Sequence, residues 1–428
     1  MKFSRKRGII MDDALLPSMA RILQTINAPV IEDVVSEVRK QISLVSPAYI
    51  QGKRIAITAG SRGITDIRIV LQTVVQELRS QGAQPFLVPA MGSHGGATAE
   101  GQVAVLKSLG ITTESIGAPI LSSMEVVEVG TTVNGVPVYV DKYAVEADGI
   151  VVVNRIKAHT EFCGEIESGL FKMMVIGLGK HKGAVVAHTH ALRRGYAKVF
   201  KEIGEVVLNK LPILFGLGIV ENCYDQTAEI CGVSPQNFYE NEKELLTKAK
   251  NLMMRIPFKN IDLLIVDKMG KEISGCGMDT NVVGRIMVYG QEEYTEPDIV
   301  RILVLDLDEA SHGNATGVGI ADFTTERLRK KIDWTKTSIN CITACAPEKG
   351  RLPMVFDTDL KAVTAALMTV GIEKIGNSRV VHIKNTLEMK EIEISEALIP
   401  EANMQPSLHI IQELVAMEFD QCGSLRLI

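Results

Sequence analysis

Residues 53–102, KRIAITAGSRGITDIRIVLQTVVQELRSQGAQPFLVPAMGSHGGATAEGQ, decide the fold class. Lys53 to Thr58 is a short apolar run that reads as a strand. Ala59-Gly60-Ser61-Arg62-Gly63 turns the chain, and apolar residues at helical spacing from Ile67 to Gln81 read as a helix. Phe86-Leu87-Val88-Pro89 is the next strand. It runs into a second glycine-rich loop, Gly92-Ser93-His94-Gly95-Gly96, and a helix from about Ala99 to Leu109. Strands alternating with helices imply a largely parallel sheet with crossover helices, an α/β fold. In such sheets ligands gather beyond the carboxyl ends of the strands, where both loops lie.

Each loop carries one chemically useful side chain. Arg62 offers a guanidinium suited to a carboxylate or phosphate. His94, between glycines that permit close backbone approach, can serve as acid, base or ligand. Neither loop is a Walker motif or a dinucleotide fingerprint, so a nicotinamide dehydrogenase is the poorest fit.

A third strand, Ile150 to Val153, ends in Asn154, Lys157, His159 and Glu161. The stretch from Asn154 to His190 then holds four of the eight histidines: His159, His181, His188 and His190. Lys172 lies in a dense apolar run, Leu170 to Ile176. Burial disfavours the ammonium form, and a neutral amine is a nucleophile; the plainer reading is a lysine that snorkels to water. Gly183 onward reads as one long helix with Val185, His188, Leu192, Tyr196, Val199 and Ile203 on one face. That places His188 inward and His190 toward water. Residues 117–149 form a β excursion with a turn at Asn134-Gly135.

Residues 13–48 read as peripheral helical structure, Pro212 to Val220 as a strand, and residues 240–256 as an amphipathic helix. Ile261 to Val266 opens a second α/β segment. Its loops carry Asp279, Asn281 and Arg285, then His312 and Asn314. Thr324 to Lys331 and residues 358–370 read as helices, Val380 to Ile383 as a strand, and Ser407 to Met417 as a final helix. The expected organisation is two-domain: residues 1–256 with the cofactor and catalytic histidines, residues 257–400, and residues 401–428 as a helical segment packing back on the first domain. The sheets should be mostly parallel and flanked by helices, with the active site in the cleft between domains.

At 428 residues the length suits two domains. The formal charge of −5 argues against a nucleic-acid binder. Seven scattered cysteines without metal-like pairing fit a reduced, cytoplasmic protein; Cys341 and Cys345 read as structural. No apolar run reaches transmembrane length, so no membrane partner is expected. The basic start, MKFSRKRGIIMDDALLPS, meets acidic residues before any continuous apolar region and does not read as a signal peptide.

The ordered set Arg62, Gly92-Ser93-His94-Gly95-Gly96, His159, Lys172 and His188 resembles the nickel-pincer-nucleotide-dependent lactate racemase family over most of the chain. Lys172 and His188 are sixteen apart, in agreement with the family's spacing from cofactor-bearing lysine to nickel-ligating histidine. The resemblance implies a nickel pyridinium-3-thioamide-5-thiocarboxylic acid mononucleotide tethered to Lys172, with His188 on the metal and Ser93, Gly95 and Gly96 at the cofactor. It implies racemisation or epimerisation of a 2-hydroxy acid by hydride transfer to and from the cofactor, through a 2-keto acid. His94 and His159 would interchange acid and base roles. Arg62 would hold the substrate carboxylate, with Asp279, Asn281 and His312 as further substrate contacts and Glu161 as a pocket residue. Cofactor-synthesis enzymes would load the protein.

The chain departs from the family at three places. The segment from His159 to Lys172 is longer and carries Glu165 and Glu167. No acidic residue stands just before Arg62. Asp279 to Arg285 shows no clear match to the family's substrate-contacting glutamine and lysine. These differences bear on substrate more than on chemistry and point to a divergent branch of 2-hydroxyacid racemases and epimerases. Lactate-sized, dicarboxylic, aromatic and sugar acids all stay open. Two other readings remain: a lyase or aldolase with Lys172 as Schiff-base lysine, and a protein that binds a nucleotide-like ligand without turnover.

Overall fold

The computed structural model describes residues 16–428, and the chain divides into two compact units. Asn27–Met253 form one; the described residues up to Ile26 join Met254–Ile428 in the other. The expected boundary near Pro257 is therefore close, but the first described strand, β1 (Met19–Gln24), belongs to the C-terminal unit. Residues 19–24 are not the helix expected there. Met19, Ala20 and Ile22 are buried where β1 pairs on both sides within a sheet.

The unit Asn27–Met253 holds a five-stranded sheet, order β3-β2-β6-β7-β8. Its strands are β2 (Arg54–Ala59), β3 (Gln84–Pro89), β6 (Gly149–Arg155), β7 (Ile213–Glu221) and β8 (Thr227–Val233). β8 alone runs antiparallel, at one edge. A separate hairpin, β4 (Val126–Thr131) with β5 (Pro137–Asp141), is the expected β excursion. Strand residues alternate between two apolar layers, as a pleated sheet requires. Ile55, Ile57, Val151 and Val153 face α1 (Val34–Val45) and α2 (Ile67–Ser80). Ala56, Phe86, Ile150 and Val152 face the hairpin and the later helices.

α3 (Ala99–Ser108) and the short α4 (Thr113–Ile116) pack in the layer of α1 and α2, through Leu106 and Ile116; the later helices are α5 (Lys142–Val145), α6 (Leu170–Lys172), α7 (Lys180–Arg194), α8 (Tyr196–Lys210) and α9 (Phe238–Leu252). The single long helix expected from Gly183 is two. Gly195, at φ 86° and ψ 136°, breaks it in a conformation that glycine adopts without a Cβ penalty. The buried stripe of α7 is Gly183, Ala184, Ala187 and Ala191; Val185 is exposed, and His188 and His190 are both half-buried.

The other unit holds an eight-stranded mixed sheet, order β12-β11-β10-β9-β13-β14-β1-β15. β9 (Asn260–Met269), β10 (Asp298–Leu307), β11 (Phe323–Thr325), β12 (Met354–Phe356) and β13 (Val380–Ile383) are parallel. β14 (Glu391–Ser395), β1 and β15 (Leu408–Val415) continue it antiparallel. The helix expected over Ser407–Met417 is thus strand β15, and the 401–428 segment clusters with this unit, not with Asn27–Met253. Leu408, Ile410, Ile411, Leu414 and Val415 satisfy both periodicities, and the open edge of β1 settles the choice. Helices in this unit include α10 (Thr280–Val283), α11 (Glu326–Lys331), α12 (Trp334–Thr343) and α13 (Asp359–Leu367). No described helix is long and apolar enough to cross a membrane.

A buried histidine staples the junction between the parallel and antiparallel halves of this sheet. His382 on β13 bonds Asp267 of β9 at 2.6 Å and Glu393 of β14 at 3.1 Å, and Glu393 pairs with Arg21 of β1 at 2.9 Å. Burial opposes the imidazolium, but the two carboxylates prevail and push its pKa to about 9. A raised histidine pKa adds stability that is complete below the unfolded value near 6.5 and is lost as pH rises through about 9. The wild-type melting temperature should therefore fall more steeply between pH 7 and 10 than that of His382→Gln. Parallel slopes for the two proteins would show that the staple is uncharged.

Candidate active site

β2 and β6 are neighbours, yet the chain leaves them in opposite directions: β2 leads outward to β3, and β6 to β7. Loops after such a pair diverge and leave a crevice at the strand ends. The loop after β2 carries Gly60, Ser61 and Arg62, and the end of β6 carries Asn154 and Arg155. The two approach closely, since a Cβ added at Gly60 would stand 3.2 Å from Met173 Cε and 3.9 Å from Asn154 Oδ1. The loop after β3 packs on the same neighbourhood: a Cβ at Gly92 would stand 3.1 Å from Ile176 Cγ2.

His94 is exposed on that loop, and its Nδ1 lies 2.5 Å from Ser61 Oγ. The loops after β2 and β3 are thus joined by the first candidate histidine. Gly92, Gly95, Gly96 and Ala97 all have positive φ. Gly95 has a second reason to be glycine, because a Cβ there would meet the Gly101 carbonyl carbon at 2.5 Å. Ser93 is half-buried beside them. Arg62 is exposed.

His159 sits on a loop closed by the Lys157–Ser168 bridge. The segment between His159 and Lys172 has a clear structural use. Glu167, 1 % exposed, accepts hydrogen bonds from the His159 amide at 2.6 Å and the Gly164 amide at 3.1 Å, and pairs with Lys250 at 2.5 Å. It ties the loop down from beneath. Glu165 points outward to Tyr239 and Lys243. The His159 Nδ1 accepts the Glu161 amide at 3.1 Å, which puts the proton of the neutral ring on Nε2.

Two aromatic rings, Phe162 and Tyr196, connect the second and third candidate histidines. His159 stacks on Phe162 at 4.4 Å, Phe162 on Tyr196 at 4.7 Å, and Tyr196 meets His188 edge-on at 5.7 Å. The break at Gly195 starts α8 at Tyr196, which completes this chain.

Lys172 is half-buried at the end of α6, and the chain continues through a π-helical turn, Met173–Gly177. Such turns are frequent at functional sites. The start of α6 rests on Glu242, which is fully buried and accepts the Phe171 amide at 2.8 Å. Gly169 must be glycine here, as a Cβ would stand 2.3 Å from the Glu242 carboxylate. Asn154 Nδ2 donates to the Gly169 carbonyl at 2.7 Å, so the end of β6 and the lysine-bearing turn are one piece.

His188 responds to this neighbourhood electrically. Burial lowers its pKa, against the pull of Glu161 and with the help of Lys172. Its Nδ1 is buried and has no hydrogen-bond partner among the described residues. A neutral imidazole with an orphaned buried nitrogen is suited to a metal. Among the described residues no group of three or more His, Cys, Asp or Glu side chains could hold a metal ion. A metal on His188 would therefore have at most two such ligands among the described residues and take its remaining donors from elsewhere.

The structure thus brings Arg62, Ser93, His94, Gly95, Gly96, His159, Glu161, Lys172 and His188 to one unit. Asp279, Asn281 and His312 belong to the other. Asp279 caps α10 and bonds the Asn281 amide and side chain; Asn281, 4 % exposed, also accepts the Tyr294 hydroxyl at 2.8 Å. Arg285 is engaged with Asp322 and three carbonyls. His312 is exposed, at a left-handed position.

The family model described as "Lactate racemase N-terminal domain" matches residues 22–198. Residues 22–198 belong to the lactate racemase family. This lactate racemase N-terminal domain contains each of the loops assembled above. Among solved structures, the chain is similar to the lactate racemase apoprotein from Thermoanaerobacterium thermosaccharolyticum, with a TM-score of 0.54 and 12% identity over 85% of this chain and 94% of that one. At that identity the likeness speaks for the fold alone. No curated protein matches in sequence.

Glu242 gives a test of how the lysine-bearing turn is supported. Burial raises its pKa to about 8, although the amides of Phe171 and Leu170 favour the carboxylate. A raised carboxyl pKa makes the folded state hold its proton more tightly, so stability falls as pH climbs from about 4.5 through about 8. Glu242→Gln should flatten that decline when urea midpoints are compared at pH 5 and pH 9. An unaltered slope would mean that Glu242 stays ionised under the turn.

Proposed function

We propose that the chain is a nickel-dependent racemase or epimerase of a 2-hydroxy acid, with a pincer nucleotide carried on Lys172. The observation that carries this reading is His188: neutral, its Nδ1 buried and without a hydrogen-bond partner among the described residues, beside Lys172 and in no described group of three or more His, Cys, Asp or Glu side chains. Those residues fit a metal whose remaining donors arrive with an organic group. Lys172 would hold that group and His188 the metal. When bound, the nucleotide supplies a hydride acceptor and donor at C2 of the substrate.

The chain's own residues do the rest. Arg62, exposed on the loop after β2, is placed to take a carboxylate bidentately. His94 handles the hydroxyl proton through Nε2, since Nδ1 is engaged by Ser61 Oγ. Ser61 can donate or accept, so either neutral tautomer of His94 is supported. His159 presents an Nε2 proton, because its Nδ1 accepts the Glu161 amide. Protonating that Nδ1 requires the Glu161 hydrogen bond to open, which makes His94 the easier of the two to cycle. Racemisation needs proton handling on both faces of a planar keto acid, and this pair supplies it. Cytoplasmic loading by cofactor-synthesis enzymes completes the reading.

The test is stereochemical. Cofactor-loaded protein is incubated with single enantiomers of small, dicarboxylic, aromatic and sugar 2-hydroxy acids, and the products are resolved by chiral chromatography. At least one acid should racemise or epimerise at C2, and His94→Asn and His159→Asn should each lower its kcat by roughly 10²- to 10⁴-fold. A loaded protein inert toward the whole panel would defeat the proposal.

A further inference from the structure

Lys180 is fully buried, and no expectation drawn from the sequence pointed to it. It opens α7 in a left-handed conformation, φ 54°, which is uncommon for a residue with a long side chain. Its ammonium donates to the Pro89 carbonyl at the end of β3 and to Gln102 Oε1 at 2.9 Å, and lies 3.3 Å from Asp141 Oδ2. Two hydrogen bonds and one buried ion pair thus hold the head group, and Asp141 Oδ2 has no hydrogen-bond partner among the described residues.

The partners are themselves buried and tied to the site. Gln102 spends its amide on the loop after β3, donating to the Gly92 carbonyl at 2.9 Å and the His94 carbonyl at 3.4 Å. Asp141 caps α5 through the Tyr143 and Ala144 amides, at 2.8 and 3.1 Å, and its own amide donates to Leu178. Lys180 is also midway in sequence between Lys172 and His188, eight residues from each. One buried side chain therefore connects the loop that bears His94 with the segment that bears Lys172 and His188.

Stability does not explain this lysine. A buried ion pair rarely repays its desolvation, and an apolar side chain of similar volume is often as stabilising. Burial shifts both partners toward their neutral forms, Lys180 downward and Asp141 upward, each against the other's attraction. What the lysine supplies and an apolar residue would not is direction: hydrogen bonds that fix the position of a glycine-rich loop.

We infer that Lys180 is a positioning residue that, through Gln102, holds the His94 loop in register with the segment carrying Lys172 and His188. The inference uses the proposed function to say why register matters, but its structural content stands without it. Precise placement matters because an error of about 1 Å between reacting groups can cost ~100-fold in rate.

The test uses full-length Lys180→Met and Gln102→Leu, first without cofactor. Folding is checked by circular dichroism, amide exchange is followed over residues 92–97, and the His94 ring is observed by carbon-13 histidine NMR. Exchange in the loop should rise by at least about tenfold while β2 and β6 stay protected, and the His94 ring signals should move. After loading, kcat should drop ~100-fold with KM changed far less. A folded Lys180→Met with unchanged loop exchange and unchanged His94 signals overturns the inference. Should Lys180→Met fail to fold, Gln102→Leu leaves the Lys180–Asp141 pair in place and decides by the same two readouts. A loosened loop in a protein that never turns over a hydroxy acid would count against the proposed function and leave the positioning role standing.

Discussion

The reversal of strand order between β2 and β6 is the constraint on which the site depends. Neighbouring parallel strands whose connections run in opposite directions cannot close over their own ends. The opening is filled by loops, and every side chain of the candidate site in this unit is delivered by a strand that ends there or by the α6–α7 segment that follows β6. The glycines at 60, 92 and 169 let these pieces approach to contact distance, where a methyl group would collide or crowd.

A crevice lined by loops needs rigid support, and here the support is polar and buried. Glu167 holds the His159 loop, Glu242 holds the start of α6, and the Lys180–Gln102–Asp141 group holds the loop after β3. Each is an ionisable or amide side chain taken out of water, where unpaired polar groups are costly and paired ones specify a single arrangement. The apolar sheet faces supply the bulk of the packing. These polar props supply direction. The stacked rings from His159 to His188 add a third kind of contact, aligned but without charge.

Much of this was legible in the sequence. Strands β2, β3, β6, β7, β9, β10 and β13 fall where β-branched runs place them, and both glycine-rich loops lie at strand ends. The spacing of Arg62, His94, His159, Lys172 and His188 led to the family whose N-terminal-domain model matches residues 22–198. The failures have physical causes. The pattern through Val185 and Tyr196 continues across Gly195 because periodicity ignores a backbone break. Leu408–Val415 became a strand because a sheet edge was available, which is information held elsewhere in the chain. Lys180 and Glu242 carry no local signal: one is flanked by glycine and histidine, the other lies in a charged helix, and only the fold buries them. Glu167 stands in a polar stretch before Lys172, and only its burial under the His159 loop gives it a role.

The central claim is that Lys172 and His188 together receive a nickel-bearing nucleotide. The most direct measurement is intact mass with nickel content, on wild type, Lys172→Ala and His188→Ala expressed alongside cofactor-synthesis enzymes. The account predicts a nucleotide-sized adduct and near-stoichiometric nickel on wild type, no adduct on Lys172→Ala, and adduct with depleted nickel on His188→Ala. Well-folded wild type carrying neither adduct nor nickel would contradict it.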